Sequence, residues 1–341
     1  MIPFSIPLLL LVSLCFLNIS TISAQSLCNG HAELCSRKYS NITFIGAHDS
    51  AFVGDSPADN QGISVAAQLD SRIRFLQSQA HINSFKTLSL CHTSCFLNDA
   101  GPLTTFLSTI KTWLDKHPDE VLTLLLTNGD RTDIKQYDTA FKSSGLNKYA
   151  YTPPAHPLRF DAWPTLAQLI SSKTRLVVFM DYGANSATVP YILDEFAYFF
   201  ETPFNTLDPT FNQCSIDRPP GAKPDGRMYV VNHFLDKKIT EGDVKPEDIG
   251  TKGKGMLGDI AGGLGGLGGL FGRKKRGLGD DILVPDREKA KETNAKGGGK
   301  GSIGAQVGKC EGLYGRMPNV VLLDFVEEGQ GVAAQRVLNG F

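Results

Sequence analysis

The stretch "NITFIGAHDS", residues 41–50, is an apolar run that stops at a glycine and gives way to His48 and Asp49. A Gly/Asp/Pro-rich run follows it. Side chains placed where a strand ends and a loop begins can reach a substrate. One His-Asp pair decides little. What matters is whether the other apolar runs of the chain end in the same way.

Apolar runs with β-branched content predict strands at 42–46, 73–79, 88–92, 121–127, 176–181, 228–233 and 320–325. Several are apolar throughout, as parallel strands covered on both faces are. Helical patterns lie between them. "PLTTFLSTIKTWLDKHPDE" sets Leu103, Phe106, Leu107, Ile110, Trp113 and Leu114 on one stripe, and Pro118 ends it. "VPYILDEFAYFF", 189–200, and "GQGVAAQRVLNG", 329–340, are two further expected helices. Alternating strand and helix argues for α/β with a parallel sheet. An eighth strand is expected within 149–163, which would complete a TIM-type (β/α)8 barrel.

Composition sets the bounds. The 341 residues are 41% hydrophobic and 20% charged, with a net charge of −1, so nothing favours a nucleic-acid partner or electrostatic attraction to an anionic membrane. Residues 1–24 carry no charged side chain, have an apolar run from Ile6 to Leu17, and end in small residues. They read as a secretory signal peptide, and the run is too short to span a membrane comfortably. No lipid-anchor signal is read at the C-terminus. The mature chain, 25–341, is expected to be one domain and a secreted monomer.

Six cysteines remain after Cys15 leaves with the signal, and six allow 15 pairings. Local spacing favours Cys28–Cys35 and Cys91–Cys95, leaving Cys214–Cys310. A metal-like reading of "CHTSC" has no second cysteine pair of matching spacing to support it. Asn41 opens a glycosylation sequon with Thr43.

One stretch, about 239–280, contains "GGLGGLGGLFG" and is read as a flexible insertion, because glycine at that density loses too much backbone entropy on ordering. Its Arg273-Lys274-Lys275-Arg276 run offers a site to a secretory-pathway protease, or keeps an apolar loop soluble. "NAKGGGKGSIG", 294–304, reads as a second flexible patch. Without the leader and the insertion about 275 residues remain, near the roughly 250 of one barrel.

The opening pattern recurs. The expected strands end in His48-Asp49, Gln77-x-Gln79, His92, Asn128, Asp181-Tyr182, Asn232-His233 and Asp324. Asn128 alone reads as structural. In a barrel the C-terminal rim holds the active site. Two histidines there suggest paired acid–base catalysis, since imidazole titrates near neutrality, with Asp49 and Asp324 fixing the rings. A metal site built on His48, Asp49 and His92 is the rival, and residue types alone leave both open.

"GAHDS", "RIRFLQSQAH", "LSLCHTSC" and the terminal "VVLLDF" together resemble the X domain of phosphatidylinositol-specific phospholipases C, most closely its secreted fungal phosphodiesterase-like members. The resemblance covers most of residues 28–341 outside the glycine-rich stretch. It implies a distorted TIM barrel and a metal-independent two-histidine mechanism with no cofactor. His48 matches the base acting on an inositol hydroxyl and Asp324 its supporting carboxylate. His92 matches the acid that protonates the departing oxygen, and Asp49 its partner. A lipid phosphodiester substrate would bring transient contact with a membrane surface.

The chain departs from the family where bacterial members carry Asp-x-Arg and calcium-dependent members Glu-x-Asp. Here Gln77 and Gln79 stand at those positions, and Asp49 follows His48. Phosphoryl transfer depends on positive charge or metal at the phosphate oxygens. Arg159 or another cation could substitute. Gln77, Gln79, Asp181, Tyr182 and His233 are the expected substrate-binding residues; strand alternation would point His81 inward too, but a surface role is expected for it. Three readings follow: a phosphodiesterase, a headgroup- or glycan-binding barrel without turnover, and another hydrolase on the same scaffold.

Overall fold

The computed structural model describes residues 27–95, 98–239 and 282–341. The expected leader, and all of the glycine-rich stretch but residue 239, lie outside these residues. Eight strands are β1 (Phe44–Ala47), β2 (Phe75–Ile82), β5 (Leu122–Thr127), β6 (Leu176–Met180), β7 (Ile192–Asp194), β8 (Phe199–Glu201), β9 (Met228–Asn232) and β12 (Val320–Leu323). They pair in parallel in the order β7-β6-β5-β2-β1-β12-β9-β8. The sheet curls into a distorted TIM-type barrel. Among the described residues no ladder joins β7 to β8, and this seam is bridged by the chain itself through the one-turn helix Glu195–Tyr198.

Alternation along each strand decides what faces inward. Phe44, Phe75, Leu125, Val177, Phe179, Phe199, Val230, Val320 and Leu322 fill the barrel. Ile45, Leu76, Leu124, Val178 and Val321 belong to the second cluster, packed under the helices. The helix Leu103–Lys116 buries all six residues of its expected stripe. Gly46 sits between β12 and β2, where an added Cβ would lie 2.7 Å from Leu322 and 3.0 Å from Phe75. The glycine of the opening motif is therefore a packing requirement.

Three expectations give way. Leu88–Cys91 (β3) is not a barrel strand: it turns back antiparallel on the end of β2 and pairs with β4 (Asp99–Pro102). The segment 149–163 holds only short 3-10 turns and one isolated bridge, and supplies no strand. Residues 189–200 are not one helix but β7, a four-residue helix and β8. Three-residue strands around a helical turn put apolar residues three and four apart, which imitates an amphipathic helix.

The patch 294–304 is also ordered. Asn294, Ser302 and Ile303 are buried, and Ile303 begins the helix Ile303–Tyr314. Its glycines serve close approach. A Cβ on Gly301, at φ +80°, would fall against the Pro209 carbonyl. Disulfides join Cys28 to Cys35, Cys91 to Cys95 and Cys214 to Cys310, the pairing expected from spacing.

Candidate functional site

The C-terminal ends of β1 and β12, with the loop after β3, bring four expected residues together. Asp324 follows β12, and its Oδ1 lies 2.8 Å from His48 Nδ1. The other face of the His48 ring turns to Asp49, whose Oδ2 is 3.6 Å from His48 Nε2 and 3.5 Å from His92 Nε2. The two imidazoles thus converge on a single carboxylate oxygen. Both rings remain reachable, with side chains 16% and 17% exposed, while Asp49 is sealed off at 0%.

Backbone conformation builds this arrangement. Asp49 has φ +45° and Phe325, beside Asp324, φ +48°. Aspartate tolerates the left-handed region, whereas a bulky phenylalanine there is strained and must be held by its surroundings. Asn60 does so: its carbonyl accepts from the Phe325 N–H at 2.7 Å, and its Nδ2 donates to Asp324 Oδ1 at 2.9 Å. Gln61 Nε2 donates to the carbonyls of His48 and Leu323, tying β1 to β12. Phe234 stacks on the His48 ring, with centroids 3.7 Å apart and planes 4° from parallel. His92 hangs in the loop after β3, inside the Cys91–Cys95 bridge, beside Phe52.

The two glutamines explain themselves by what they hold. Gln77 Oε1 accepts from the Asp49 N–H at 2.7 Å. Gln79 uses both ends of its amide: Nε2 donates to Asp49 Oδ2 at 2.7 Å, and Oε1 accepts from the Thr93 N–H at 3.2 Å. It therefore couples the carboxylate between the rings to the residue after His92. Arginine could only donate and a carboxylate only accept, so neither could replace this bridge.

Electrostatics single out His48 and a residue that sequence reading missed. Burial works against the His48 cation, but Asp324 and Asp49, the Asp324 hydrogen bond and the more distant Asp236 outweigh it and raise the pKa to about 9. Asp236 opens β10 (Asp236–Ile239), two residues beyond Phe234, and pairs with β11 (Ile282–Pro285) across an antiparallel ladder. Burial, reinforced by the charge of Asp324, pushes Asp236 up to about 7. "NHFLDKK" carried no strand-end signal for it, because the acid lies four residues past β9.

The remaining candidates stand apart from the rings. Asp181 Oδ1 accepts from the N–H groups of Asn128 and Tyr182, at 2.6 and 2.7 Å, a structural cap. The Tyr182 ring is partly exposed under the Arg131 guanidinium. Asn128 is structural as expected, donating to the carbonyls of Thr132 and Tyr182. His233 is fully buried, with its ring nitrogens against Gln306 Oε1 and the Thr293 carbonyl, so it has no atom left for a ligand. It is a core residue and not a substrate contact. His81 is buried too and pairs with Asp130 at 2.9 Å, which corrects its assignment to the surface. Arg159 is 83% exposed and paired with Asp161, beside residues 38–40 at the opposite end of the barrel, so it supplies no charge here.

Among the described residues the one cluster of three metal-type donors is Cys91, Cys95 and Asp99, and its two sulfurs are bonded to each other.

The profile of the PI-PLC X region matches residues 34–255 and 278–339. A protein of Arthroderma benhamiae named PI-PLC X domain-containing protein 1 is 48% identical over 320 residues, covering 93% of this chain and 91% of that one. A second protein of that fungus, named an uncharacterized secreted protein, is 41% identical over 306 residues, covering 89% of this chain and 60% of its own length. Among solved structures, the phosphatidylinositol-specific phospholipase C of Listeria monocytogenes aligns over 90% of this chain and 96% of its own, at 13% identity and a TM-score of 0.45. With the matched profile spanning both halves of the barrel, the chain belongs to the PI-PLC X domain family.

Proposed function

We propose that this protein is a secreted phosphoric diester hydrolase that cleaves a lipid phosphodiester, of the inositol phospholipid type, by acid–base catalysis between His48 and His92. The observation that carries the reading is the shared carboxylate: both Nε2 atoms within 3.6 Å of Asp49 Oδ2, with Asp324 on the far nitrogen of His48. Neutral His48 takes the proton of a substrate hydroxyl next to the phosphate. The freed oxygen bonds to phosphorus as the bond to the lipid alcohol breaks, and protonated His92 donates a proton to the departing oxygen. The products are a cyclic phosphodiester and a diacylglycerol, and water restores the ring protons.

The raised pKa of His48 shapes this chemistry. With a pKa of about 9, only about one ring in a hundred is neutral at pH 7. Loss of the His48 proton should therefore favour turnover as pH rises toward 9, while loss of the His92 proton opposes it, so a bell-shaped profile is expected.

Gln79 favours a second reading, a barrel that holds a headgroup without turnover, since both ends of its amide already hold Asp49 and Thr93 and it brings no positive charge. The test is an assay of purified protein on phosphatidylinositol vesicles, with and without chelator. Release of a cyclic inositol phosphate, lost about 10²–10⁴-fold in His48→Ala and His92→Ala and untouched by chelator, supports the hydrolase. Binding of the headgroup with no release of product supports the second reading, and equal turnover in both variants sinks the mechanism. Passage through the secretory pathway and a glycan at the exposed Asn41 belong to the same reading, checked by a mobility shift on glycosidase treatment.

A further inference from the structure

His92 differs from the other residues of the site in what carries it. His48 and Asp49 follow β1 and Asp324 follows β12, two strands inside the curled sheet. His92 follows β3, which pairs only with the end of β2 and with β4. Its ring meets Phe52, with centroids 5.2 Å apart, and Asp49 Oδ2 at 3.5 Å. The Cys91–Cys95 disulfide closes a small covalent ring around His92, Thr93 and Ser94. Inside it Thr93 sits at φ +62°, which a β-branched residue adopts only when its surroundings force it. The Ser94 N–H donates back to the His92 carbonyl at 2.6 Å, and the Thr93 N–H donates to Gln79 Oε1 at 3.2 Å. Further ties run through Asn98, whose carbonyl accepts from the His92 N–H at 3.0 Å and whose Nδ2 donates to buried Asp59 at 2.9 Å.

We propose that the Cys91–Cys95 bond is a thiol-sensitive lock that positions His92 against Asp49, so that opening it silences turnover while the barrel stays folded. Only the turnover rests on the hydrolase reading; the movement of the ring does not. Three observations carry the lock. Opening the covalent ring lets strained Thr93 relax, and rotation there carries its neighbour His92 away from Asp49. Cys91 is fully buried but Cys95 is partly exposed, so a small dithiol can reach the Cys95 sulfur. One sulfur of the dithiol bonds to Cys95 Sγ as the S–S bond breaks, and Cys91 Sγ leaves with the electron pair and takes up a proton. The second sulfur of the dithiol then displaces Cys95, which also becomes a thiol, and the dithiol is oxidised to a cyclic disulfide. Lastly, the bond spans a sequence separation of only 4, so losing it returns little chain entropy and the barrel keeps its other supports. The Asp99 carboxylate, within 4.8 Å of both sulfurs, repels an incoming thiolate and keeps the lock closed until the reductant is abundant.

The other two disulfides allow a clean test. Cys214 and Cys310 are both buried, and Cys28–Cys35 lies beside the start of β5, at the opposite end of the barrel. Dithiothreitol is titrated into the Cys28→Ala/Cys35→Ala variant, with thiol trapping and mass mapping to show when Cys91–Cys95 alone has opened. At that point kcat on phosphatidylinositol vesicles should have fallen about 10²-fold with KM nearly kept, and reoxidation should restore it. The native protein, mapped for the same pair, serves in place of a variant that folds poorly. The movement is read without turnover: deuterium exchange at the His92 and Thr93 N–H groups should quicken about tenfold on opening, while exchange in β12 stays as it was. Unchanged exchange with the pair mapped as open overturns the lock, whether or not the protein turns over. Quickened exchange with turnover kept overturns it as well. A native protein without turnover removes the hydrolase reading, and the exchange measurement still decides the lock.

Discussion

Two groups of buried carboxylates occupy the same rim of this barrel and answer the same electrostatic problem differently. At the β1–β12 side, Asp49 and Asp324 are paired with imidazoles. At the β7–β8 seam, Glu195 and Glu201 are 1% exposed and face Arg218, whose guanidinium lies 2.5 Å from Glu201. Burial, with the charge of Glu201, pushes Glu195 well above the usual carboxylate range. Burial works against Glu201 as well, but Arg218 and hydrogen bonds, one from Asn232, hold it low. A guanidinium does not deprotonate, so the seam is a fixed ion pair; imidazole titrates within the working range, so the other side can exchange protons. The carboxylates are alike, and the cation type separates a fixed brace from the proposed reaction centre.

The largest effect that would break this contrast is on activity. His92→Ala should lose about 10²–10⁴-fold in turnover while melting close to the parent, because its ring is reachable and carries little packing. Arg218→Met should do the reverse. It strands Glu201, costing about 3–5 kcal/mol of stability by thermal unfolding, with turnover per folded molecule nearly kept. If Arg218→Met instead abolishes turnover in folded protein, the seam belongs to the reaction centre.

Gly46→Ala comes next. A methyl group at 2.7 Å from Leu322 should lower stability by about 1–3 kcal/mol in a denaturant titration. Gln79→Glu sharpens the picture on the reactive side. It keeps the acceptor for Thr93 but sets a negative charge against Asp49, so kcat should fall by roughly tenfold to a hundredfold with little change in KM.

The last contrast is in stability against pH. His48 is raised in the fold, so its contribution is complete below its unfolded value of 6.5 and fades as pH climbs through about 9. Asp236 is raised as well. The fold therefore loses stability from about pH 4 until its carboxyl ionises near 7. His48→Ala should flatten the upper part of this slope and Asp236→Asn the lower part. A slope unchanged in both variants would remove the linkage.

Much of this was legible in the chain. "PLTTFLSTIKTWLDK" gives its helix because six apolar residues share a stripe, and "VVLLDF" gives a buried parallel strand because apolar residues occupy both faces. His48, Asp49, His92 and Asp324 could be named because apolar runs stop at them. Less legible were β7 and β8, three residues each, too short for period 2 to beat an accidental helical spacing. Leu88–Cys91 was assigned to the barrel because a strand's composition does not say which neighbour it pairs with. Asn60, Asp236 and Asn294, whose Nδ2 donates to the carbonyls of Asp324 and Phe325, gave no signal, since each acts through a residue more than ten positions away.

By itself, then, the order of residues settled the kind of the longer elements, the disulfide partners and the titratable groups on the strand ends, because these follow from periodicity, local spacing and side-chain chemistry. Only the folded chain decided that Gln79 bridges a carboxylate and a loop amide, that His233 is walled in while His92 is open, and that one Asp49 oxygen serves both rings. Those facts depend on distances between segments remote in sequence, which are set by how the sheet curls and packs.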